Sequence, residues 1–386
     1  MRIGIVSETW PPEINGVALT VHSLATGLAG RGHHIDLVRP SQPQRTDDEP
    51  GIEELHTRGM ALPNYPGVRL GLPAGRSLRR RWNRQRPDVV YIATEGPLGW
   101  SALRMARQLG IPVATGFHTR FDHYASDYGI GWIVPVVRAH LRRFHQRAAS
   151  TLVPTEALAN ELAGLGVHNA RLLRRAVDTA LFHPDRRDPS LRAQWGVSDD
   201  TPVIIYVGRI ALEKNLELAV RTFEAVRQRI PAARYVWVGD GPERAALQAA
   251  HPDYIFAGMQ RGEALARHYA SADIFPFPSL SETFGNVILE AMASGLPVVG
   301  YDTGAAHEHL RDGVNGYRIV PGQCDAFIAA TVGLAGQPQR MRELGRAGRA
   351  DMERLSPDTV VREFETLLID LTREQAHARN ALAARS

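Results

Sequence analysis

Short runs of apolar residues alternate with longer amphipathic segments along almost the whole chain. Arg2–Ser7 begins the pattern as an apolar strand, and Val203–Ile210 begins it a second time. A turn-rich loop, and then a segment with apolar residues at helical spacing, follows each of these strands. Strands that alternate with helices in this way predict two α/β domains, each with a doubly wound, Rossmann-like parallel sheet.

The segment Pro278–Val299 combines a polar loop, a helix and the start of a buried strand. Its helix is predicted from about Phe284 to Ser294, because apolar residues recur there at helical spacing. Gly295 and Pro297 then end the helix. A helix that starts in a polar loop with a glycine leaves backbone N–H groups available to anionic oxygen atoms.

Two carboxylates in this segment are candidates for binding hydroxyl groups. Glu282 lies in the loop at the start of the helix, and Glu290 lies within the helix. Carboxylate oxygens accept hydrogen bonds, which suits them to the hydroxyls of a sugar or a ribose. The spacing is also compatible with a less specific interpretation, in which Glu282 is an acid favoured by the helix dipole and Glu290 is a solvated surface residue.

The basic residues are almost all arginine. Of the 45 basic residues only Lys214 is a lysine, and it follows Arg209 shortly after the first strand of the second domain. A compact ammonium group can contact a phosphate as a point charge where a planar guanidinium is too large. We therefore predict that Arg209 and Lys214 bind one diphosphate, with chance survival of a single lysine as the alternative.

The charge differs between the two halves of the chain. Residues 1–178 contain 22 basic and 15 acidic residues, whereas residues 179–386 contain 23 basic and 26 acidic ones. The first half includes a run of arginines from Arg76 to Arg86 around Trp82, which predicts either contact with an anionic membrane or a solvated helix face. The acidic second half argues against nucleic-acid binding.

Other sequence features narrow the class of protein further. The only cysteine, Cys324, allows neither an intrachain disulfide nor a cysteine metal cluster. No apolar run has the length of a membrane span, and the N-terminus predicts a first strand and not a signal peptide. We expect a cytoplasmic protein, with peripheral location at the inner face of the plasma membrane as an extension of that expectation. No Asp-x-Asp motif stands at a strand end, so fixed cations and no metal cofactor are expected.

Glu282-Thr-Phe-Gly, with Glu290 and then Ala-Met-Ala-Ser-Gly-Leu-Pro-Val-Val after it, resembles the signature of retaining GT-B glycosyltransferases of family GT4. His118-Thr after Gly-Phe resembles the lipid-directed branch of that family, which includes sulfoquinovosyl- and mannosyl-lipid synthases. The resemblance implies two Rossmann-like domains that face a central cleft. It implies an N-terminal acceptor domain over 1–178, a C-terminal donor domain over 179–356, and a last helix over about 357–386 that crosses back onto the first domain.

The resemblance also implies roles for single residues. His118, Arg209, Lys214 and Glu282 would be catalytic, with His118 in contact with the donor sugar; read alone, His118 could equally be a surface or core histidine. Gly16 would contact the donor diphosphate, although it could also be a plain turn glycine. The implied donor-binding residues are Gly16, Gly208, Arg209, Lys214, Gly239, Met259, Glu282, Phe284, Gly285, Asn286, Val287 and Glu290.

The sequence thus predicts a retaining hexosyltransferase. Its donor would be GDP-mannose or a UDP-sugar, and its acceptor a hydroxyl of a glycolipid or a diacylglycerol-type lipid at the membrane surface. A transferase for polysaccharide or a soluble acceptor is the alternative enzyme, and a catalytically silent nucleotide-sugar-binding subunit is the non-enzymatic one. The intact set of Arg209, Lys214, Glu282 and Glu290 disfavours a silent subunit.

Overall fold

A computed structural model of the chain describes residues 1–13, 16–42, 49–61, 69–118, 134–280 and 284–383. The chain divides into two compact units: unit 1 comprises residues 1–176 and 357–386, and unit 2 comprises residues 177–356. The boundary expected from the sequence, after residue 178, lies two residues beyond the observed one.

The strands of unit 1 form a parallel sheet and a separate antiparallel pair. They are β1 (Arg2–Val6), β2 (His34–Pro40), β3 (Ile52–Thr57), β4 (Gly59–Ala61), β5 (Arg69–Gly71), β6 (Val89–Ile92), β7 (Val113–Gly116), β8 (Ser150–Val153) and β9 (Ala170–Leu172). The parallel sheet has the order β3-β2-β1-β6-β7-β8-β9, and β4 pairs with β5. The order reverses between β1 and β6, the position where open α/β sheets bind ligands.

Unit 2 repeats this arrangement with fewer strands. They are β10 (Val203–Val207), β11 (Arg234–Val238), β12 (Ile255–Gly258), β13 (Phe275–Phe277), β14 (Val298–Tyr301) and β15 (Gly316–Ile319). Two three-stranded parallel sheets, β10-β11-β12 and β13-β14-β15, meet at a parallel bridge between Ile204 and Ile274. The combined order is β12-β11-β10-β13-β14-β15, so here the switch point lies between β10 and β13.

Helices follow most of these strands and cover the sheets. In chain order they are α1 (Gly16–Gly30), α2 (Gly75–Arg84), α3 (Pro97–Gln108), α4 (Val134–His145), α5 (Glu156–Gly164), α6 (Pro189–Gln194), α7 (Leu216–Arg229), α8 (Arg244–Ala250), α9 (Gly262–Ser271), α10 (Asn286–Ala293), α11 (Gly304–His309), α12 (Cys324–Ala335), α13 (Pro338–Met352) and α14 (Pro357–Ala383). Short 3₁₀ helices span Pro184–Arg186, Leu212–Lys214 and Glu353–Leu355. This architecture confirms the predicted pair of doubly wound α/β units.

The last helix, α14, packs onto unit 1. Its Phe364 and Leu368 are fully buried in the same apolar cluster as Ile3 of β1. Gly27 of α1 permits a close approach, because a Cβ atom there would lie 2.4 Å from a methyl group of Val361. The central strands of unit 1 are buried and apolar, as expected for a parallel sheet that is covered on both faces.

Helix α2 differs from the sequence-based expectation. Trp82 was expected among exposed arginines, but only 1% of it is exposed. Its Nε1 donates to Asp36 Oδ2 at 3.1 Å, and Arg81 Nε donates to Asp36 Oδ1 at 3.0 Å. Asp36 is itself fully buried in β2, so Arg81 and Trp82 anchor α2 to the sheet. Trp82 is therefore part of the core, because the buried carboxylate draws its indole N–H inward, and the prediction of a basic surface on α2 rests on the arginines around it.

Candidate active site

The carboxyl ends of the first strands of unit 2 are joined to one another by backbone hydrogen bonds. Gly208 N–H donates to Val238 O at 3.0 Å, and Gly239 N–H donates to Gly258 O at 2.9 Å. The loops after β10, β11 and β12 therefore form one continuous edge. Met259, which directly follows Gly258, is 52% exposed on this edge.

Glycines at this edge are required by the contact between loops. A Cβ atom at Gly239, whose φ is 139°, would lie 1.9 Å from Gly208 O. A Cβ atom at Gly241 would lie 2.2 Å from Ile210 O. No side chain fits at these distances, so the loops after β10 and β11 pack backbone to backbone.

The two predicted cations, Arg209 and Lys214, lie on the short segment that follows β10. Tyr206 Oη donates to Arg209 O at 2.8 Å, and Arg209 Nη1 lies 3.5 Å from Glu213 Oε1. Lys214 is half-buried at the end of the 3₁₀ helix. Asn215 adopts a left-handed conformation with φ of 56°, and its Nδ2 donates to Pro278 O at 3.2 Å. This bond ties the cationic segment after β10 to the loop after β13, across the switch point.

The start of α10 lies in that second loop. Its N-cap is Gly285, in the left-handed region with φ of 96°, and the helix itself begins at Asn286. The predicted helix is thus confirmed, although Phe284 precedes it. Phe284 is 4% exposed, and its carbonyl accepts from Ala305 N–H at 2.6 Å. The side chain of Phe284 therefore belongs to the core. A contact between Phe284 and the predicted nucleotide-sugar donor could involve only its backbone.

Glu290 lies on α10 and has a buried partner. Tyr269 Oη donates to Glu290 Oε2 at 3.0 Å, and burial raises the pKa of Glu290 to about 7. Glu290 is half-buried, which argues against the alternative of a solvated surface residue. Asn286 and Val287, in the first turn of the same helix, are also half-buried. Glu282 lies outside the described residues.

The other predicted residues, Gly16 and His118, belong to unit 1. Gly16 is the exposed first residue of α1, and its carbonyl accepts from Thr20 Oγ1 at 2.7 Å. His118 follows β7 at the carboxyl edge of the sheet and is partly exposed. Tyr91 Oη lies 2.6 Å from His118 Nε2, and Arg175 Nη2 lies 2.6 Å from His118 Nδ1. Both ring nitrogens are thus engaged by protein groups.

Two buried carboxyl groups at the switch point of unit 1 were not found from the sequence. Glu8 Oε1 accepts from Leu98 N–H at 3.0 Å at the start of α3, and burial raises the pKa of Glu8 to about 7. Glu95 is 6% exposed, and its Oε1 has no hydrogen-bond partner among the described residues. Burial, with the charge of Glu8 as a smaller cause, raises the pKa of Glu95 to about 8. Glu8 follows β1 and Glu95 follows β6, the two strands that flank the switch point, and this position is the feature by which the sequence could have revealed them.

A groove of about 1110 Å³ lies between α2 and α3 in unit 1. Exposed arginines, apolar side chains and one buried carboxyl group line it, among them Arg76, Arg79, Arg104, Trp100, Met105 and Glu95. In the part of the chain that the structure describes, no three His, Cys, Asp or Glu side chains are grouped so as to hold a metal ion. No described helix is both long enough and apolar enough to cross a membrane.

Comparison with known proteins agrees with this geometry. Residues 14–181 match the profile described as Glycosyltransferase Family 4, and residues 201–337 match Glycosyl transferases group 1. A GDP-mannose-dependent alpha-mannosyltransferase of Mycobacterium tuberculosis is 34% identical over 312 residues, which cover 80% of this chain and 81% of that protein. An alpha-monoglucosyldiacylglycerol synthase of Streptococcus pneumoniae is 27% identical over 316 residues, covering 78% of this chain and 71% of that protein.

The fold is also found among solved structures. Sucrose-phosphate synthase from Thermosynechococcus elongatus superimposes with a TM-score of 0.80 at 19% identity, covering 97% of this chain and 99% of that one. The two doubly wound units define the GT-B fold. The chain belongs to family GT4 of the glycosyltransferases.

Proposed function

We propose that the protein is a metal-independent, retaining hexosyltransferase. It takes the sugar from GDP-mannose or a UDP-sugar and transfers it to a hydroxyl of a glycolipid or diacylglycerol-type acceptor at a membrane surface. The names of the mannosyltransferase and diacylglycerol-directed relatives support this choice of substrates. The observation that carries the proposal is the edge of unit 2, where Arg209, Lys214 and the start of α10 lie on loops joined by Asn215.

The chemistry follows from the charges that develop when the glycosidic bond breaks. The bond between the anomeric carbon and the diphosphate oxygen cleaves, so the sugar gains positive charge and the leaving diphosphate gains negative charge. The groups that stabilise the negative charge of the leaving diphosphate are Arg209, Lys214 and the backbone N–H groups at Gly285. They are already in place before the bond breaks, and such preorganised charge lowers the reaction barrier. In this proposal fixed cations supply the charge that a divalent metal ion would otherwise supply.

The remaining donor contacts are hydroxyl contacts. Glu290, oriented by Tyr269, accepts from the ribose diol, and Glu282 is assigned to the sugar hydroxyls from its place in the sequence motif. Front-face substitution is the default route, since it uses the leaving phosphate as the base for the acceptor proton and requires no covalent nucleophile. Met259 and the backbone at Gly239 are assigned to the nucleobase.

The acceptor surface is assigned to unit 1. The groove between α2 and α3 joins apolar walls to exposed arginines, a combination that fits an acyl chain beside an anionic head group. The excess of basic residues in residues 1–178 favours approach to an acidic membrane surface. Arg76, Arg79 and Arg104 are the residues that we assign to this contact, in place of Trp82.

Donor binding can be tested by thermal stability with UDP, GDP, ADP and their sugars, because a ligand of the native state raises the melting temperature. One nucleotide is expected to raise it clearly and to do so equally in EDTA. Release of the nucleoside diphosphate is then measured with and without vesicles that contain diacylglycerol and an anionic lipid.

Release that depends on vesicles supports a lipid acceptor, and release with soluble glycans alone supports the alternative enzyme. A thermal shift without release under any condition would identify a silent subunit. Loss of release in EDTA, restored by a divalent ion, would contradict metal independence.

A further inference from the structure

Three side chains from separate strands of unit 1 form one cluster, in which the imidazole of His118 lies between Tyr91 and Arg175. Tyr91 lies on β6, His118 follows β7, and Arg175 follows β9. Tyr91 is fully buried and Arg175 is 7% exposed, whereas His118 is partly exposed. Both hydrogen-bond distances, from Nε2 to Tyr91 Oη and from Nδ1 to Arg175 Nη2, are 2.6 Å. The histidine is thus held at both ring nitrogens while part of it stays accessible.

Close packing fixes the position of Tyr91 beside His118. A Cβ atom at Gly116 would lie 2.3 Å from Tyr91 Oη and 2.4 Å from His118 Nε2, so only glycine admits the pair. Phe364 of α14 packs edge-on against Tyr91 with ring centroids 5.0 Å apart. Tyr91 is therefore fixed on one side by the last helix and on the other by the histidine.

The chemistry of its two partners, Arg175 and Tyr91, determines where the imidazole proton lies. A guanidinium has N–H donors and no acceptor, so Nδ1 of His118 must accept from Arg175 and cannot carry a proton. A neutral imidazole carries one proton, which must therefore lie on Nε2. The Nε2–H group donates to Tyr91 Oη. The ring carries no second proton and is therefore neutral.

We propose that Arg175 is a positioning residue that fixes His118 as the neutral Nε2–H tautomer. The functional part of this proposal rests on the proposed transferase activity, in which His118 lies at the sugar. In this role His118 orients substrate as a neutral ring and neither takes up nor releases a proton during turnover. Arg175 does not touch the substrate and acts only through the imidazole.

Among the described residues, the charged groups that act on the His118 ring, Arg175 and His145, both oppose its protonation. Besides Arg175 and Tyr91, His145 of α4 is fully buried, and its Nδ1 lies 2.9 Å from Thr115 Oγ1. Burial lowers the pKa of His118 well below its ordinary value, with the charge of Arg175 as the next cause and His145 as a smaller one. Glu95 acts on Tyr91 and not directly on the ring. A neutral His118 is consistent with every one of these neighbours.

The decisive measurement is ¹⁵N NMR of the full chain with labelled histidine, in which His118→Asn identifies the signal of His118. In the wild-type protein we expect the Nε2–H pattern with no titration between about pH 5.5 and 8. Arg175→Met removes the donor to Nδ1 and the nearby charge, so the ring should titrate closer to the ordinary value near 6.5 and show a mixture of tautomers. Arg175→Lys should restore most of the wild-type pattern.

Tyr91→Phe is the matched control, because it removes the partner of Nε2 and leaves Arg175 in place. In this variant Nδ1 of His118 should remain unprotonated. Titration of His118 near pH 6.5 in the wild-type protein, or a wild-type pattern in Arg175→Met, would overturn the proposal. Titration of the wild-type ring near pH 6.5 would overturn the proposal by itself, even where Arg175→Met does not fold.

A second readout links the cluster to turnover. The pH profile of kcat/KM for the wild-type enzyme should show no acid limb from His118, whereas Arg175→Met should gain one that lies below pH 6.5, because burial still lowers the pKa of the ring. The NMR experiment requires no substrate. A protein with the predicted tautomer but without transferase activity would therefore refute the proposed function and leave the assignment of Arg175 intact.

Discussion

The two units have the same strand order around their first strand but opposite chemistry at the switch point. Unit 1 places buried carboxyl groups there, Glu8 after β1 and Glu95 after β6. Unit 2 places glycines and the cations Arg209 and Lys214 after β10. The shared topology fixes where a ligand can bind, whereas the residues that follow the strands decide what charge it carries.

The loops at the two switch points are also held by different kinds of contact. In unit 2 the loops are held by backbone contacts that exclude any side chain at Gly239 and Gly241. In unit 1 they are held by side chains, as in the hydrogen bond from Leu98 N–H to Glu8. The contact between the loops of unit 2 thus depends on backbone atoms, whereas that of unit 1 depends on a carboxyl side chain.

The largest effect is expected from the cations of unit 2. Arg209→Ala or Lys214→Ala should lower kcat by about 10²–10³-fold, because each removes fixed charge that we assign to the leaving group. Lys214→Arg should keep less than about a tenth of the activity, since the planar fork does not replace a compact ammonium. Rates of nucleotide release check these values.

Arg346→Ala provides the control, since Arg346 is exposed on α13 and lies outside the loops of the site. It should be close to wild type. If the variants at positions 209 and 214 also kept full activity, the cations at the switch point of unit 2 would have no role in the reaction. The comparison with the carboxyl groups of unit 1 would then lose its functional meaning. Full activity of Lys214→Arg alone would remove the argument from the single lysine.

Much of unit 2 was predictable for a physical reason. Apolar periodicity reports burial, so it located β10 and α10, whereas the boundary near residue 178 came from the family resemblance. The cationic segment was visible because Lys214 stands out among arginines. The sequence did not show that Phe284 is buried, since an apolar residue before a helix serves a core and a ligand equally well.

Unit 1 was less predictable, because its features depend on contacts between distant segments. Arg175 reaches His118 from a different strand end, and no local pattern marks it. The burial of Trp82 was not visible in the sequence, because its partner, Asp36, is distant in sequence. Glu8 and Glu95 could have been found by asking which ionisable residues follow the strands on either side of the switch point.

The next largest effect concerns the backbone contact in unit 2. Gly239→Ala should lower the free energy of unfolding by about 2 kcal/mol more than Gly313→Ala, as measured by urea denaturation. Both glycines have positive φ, but a Cβ atom at Gly313 meets no other atom within 4 Å. The difference between the two variants therefore combines the contact with Gly208 and the greater backbone strain of an alanine at φ of 139°. Equal losses would show that the loops after β10 and β11 are not held by backbone packing.

The carboxyl groups of unit 1 predict a dependence of stability on pH. Folded Glu95 keeps its proton up to about pH 8, whereas in the unfolded chain it releases the proton near its ordinary pKa of 4.5. Between these values the folded state binds more protons, so the free energy of unfolding falls as pH rises. Glu95→Gln should remove part of this fall, on the order of 2 kcal/mol.

Urea titrations at pH 5 and at about pH 8.5 measure this fall. Glu156→Gln, at an exposed position on α5, should leave the difference between the two pH values unchanged. If Glu95→Gln behaved like Glu156→Gln, Glu95 would be ionised in the folded protein. The contrast between a neutral edge in unit 1 and a charged edge in unit 2 would then be lost.

The smallest effect is expected at the groove of unit 1, which we propose to contact an anionic lipid surface. Arg76→Glu and Arg104→Glu should each weaken binding to anionic vesicles by about 1 kcal/mol or more, because each reverses a charge beside the apolar wall. Arg84→Glu is the matched control: it lies exposed on the same helix as Arg76 but does not line the groove. Sedimentation with vesicles at constant salt separates two cases. Equal losses in all three variants would indicate a diffuse attraction to the surface, whereas losses confined to positions 76 and 104 would place the lipid in the groove.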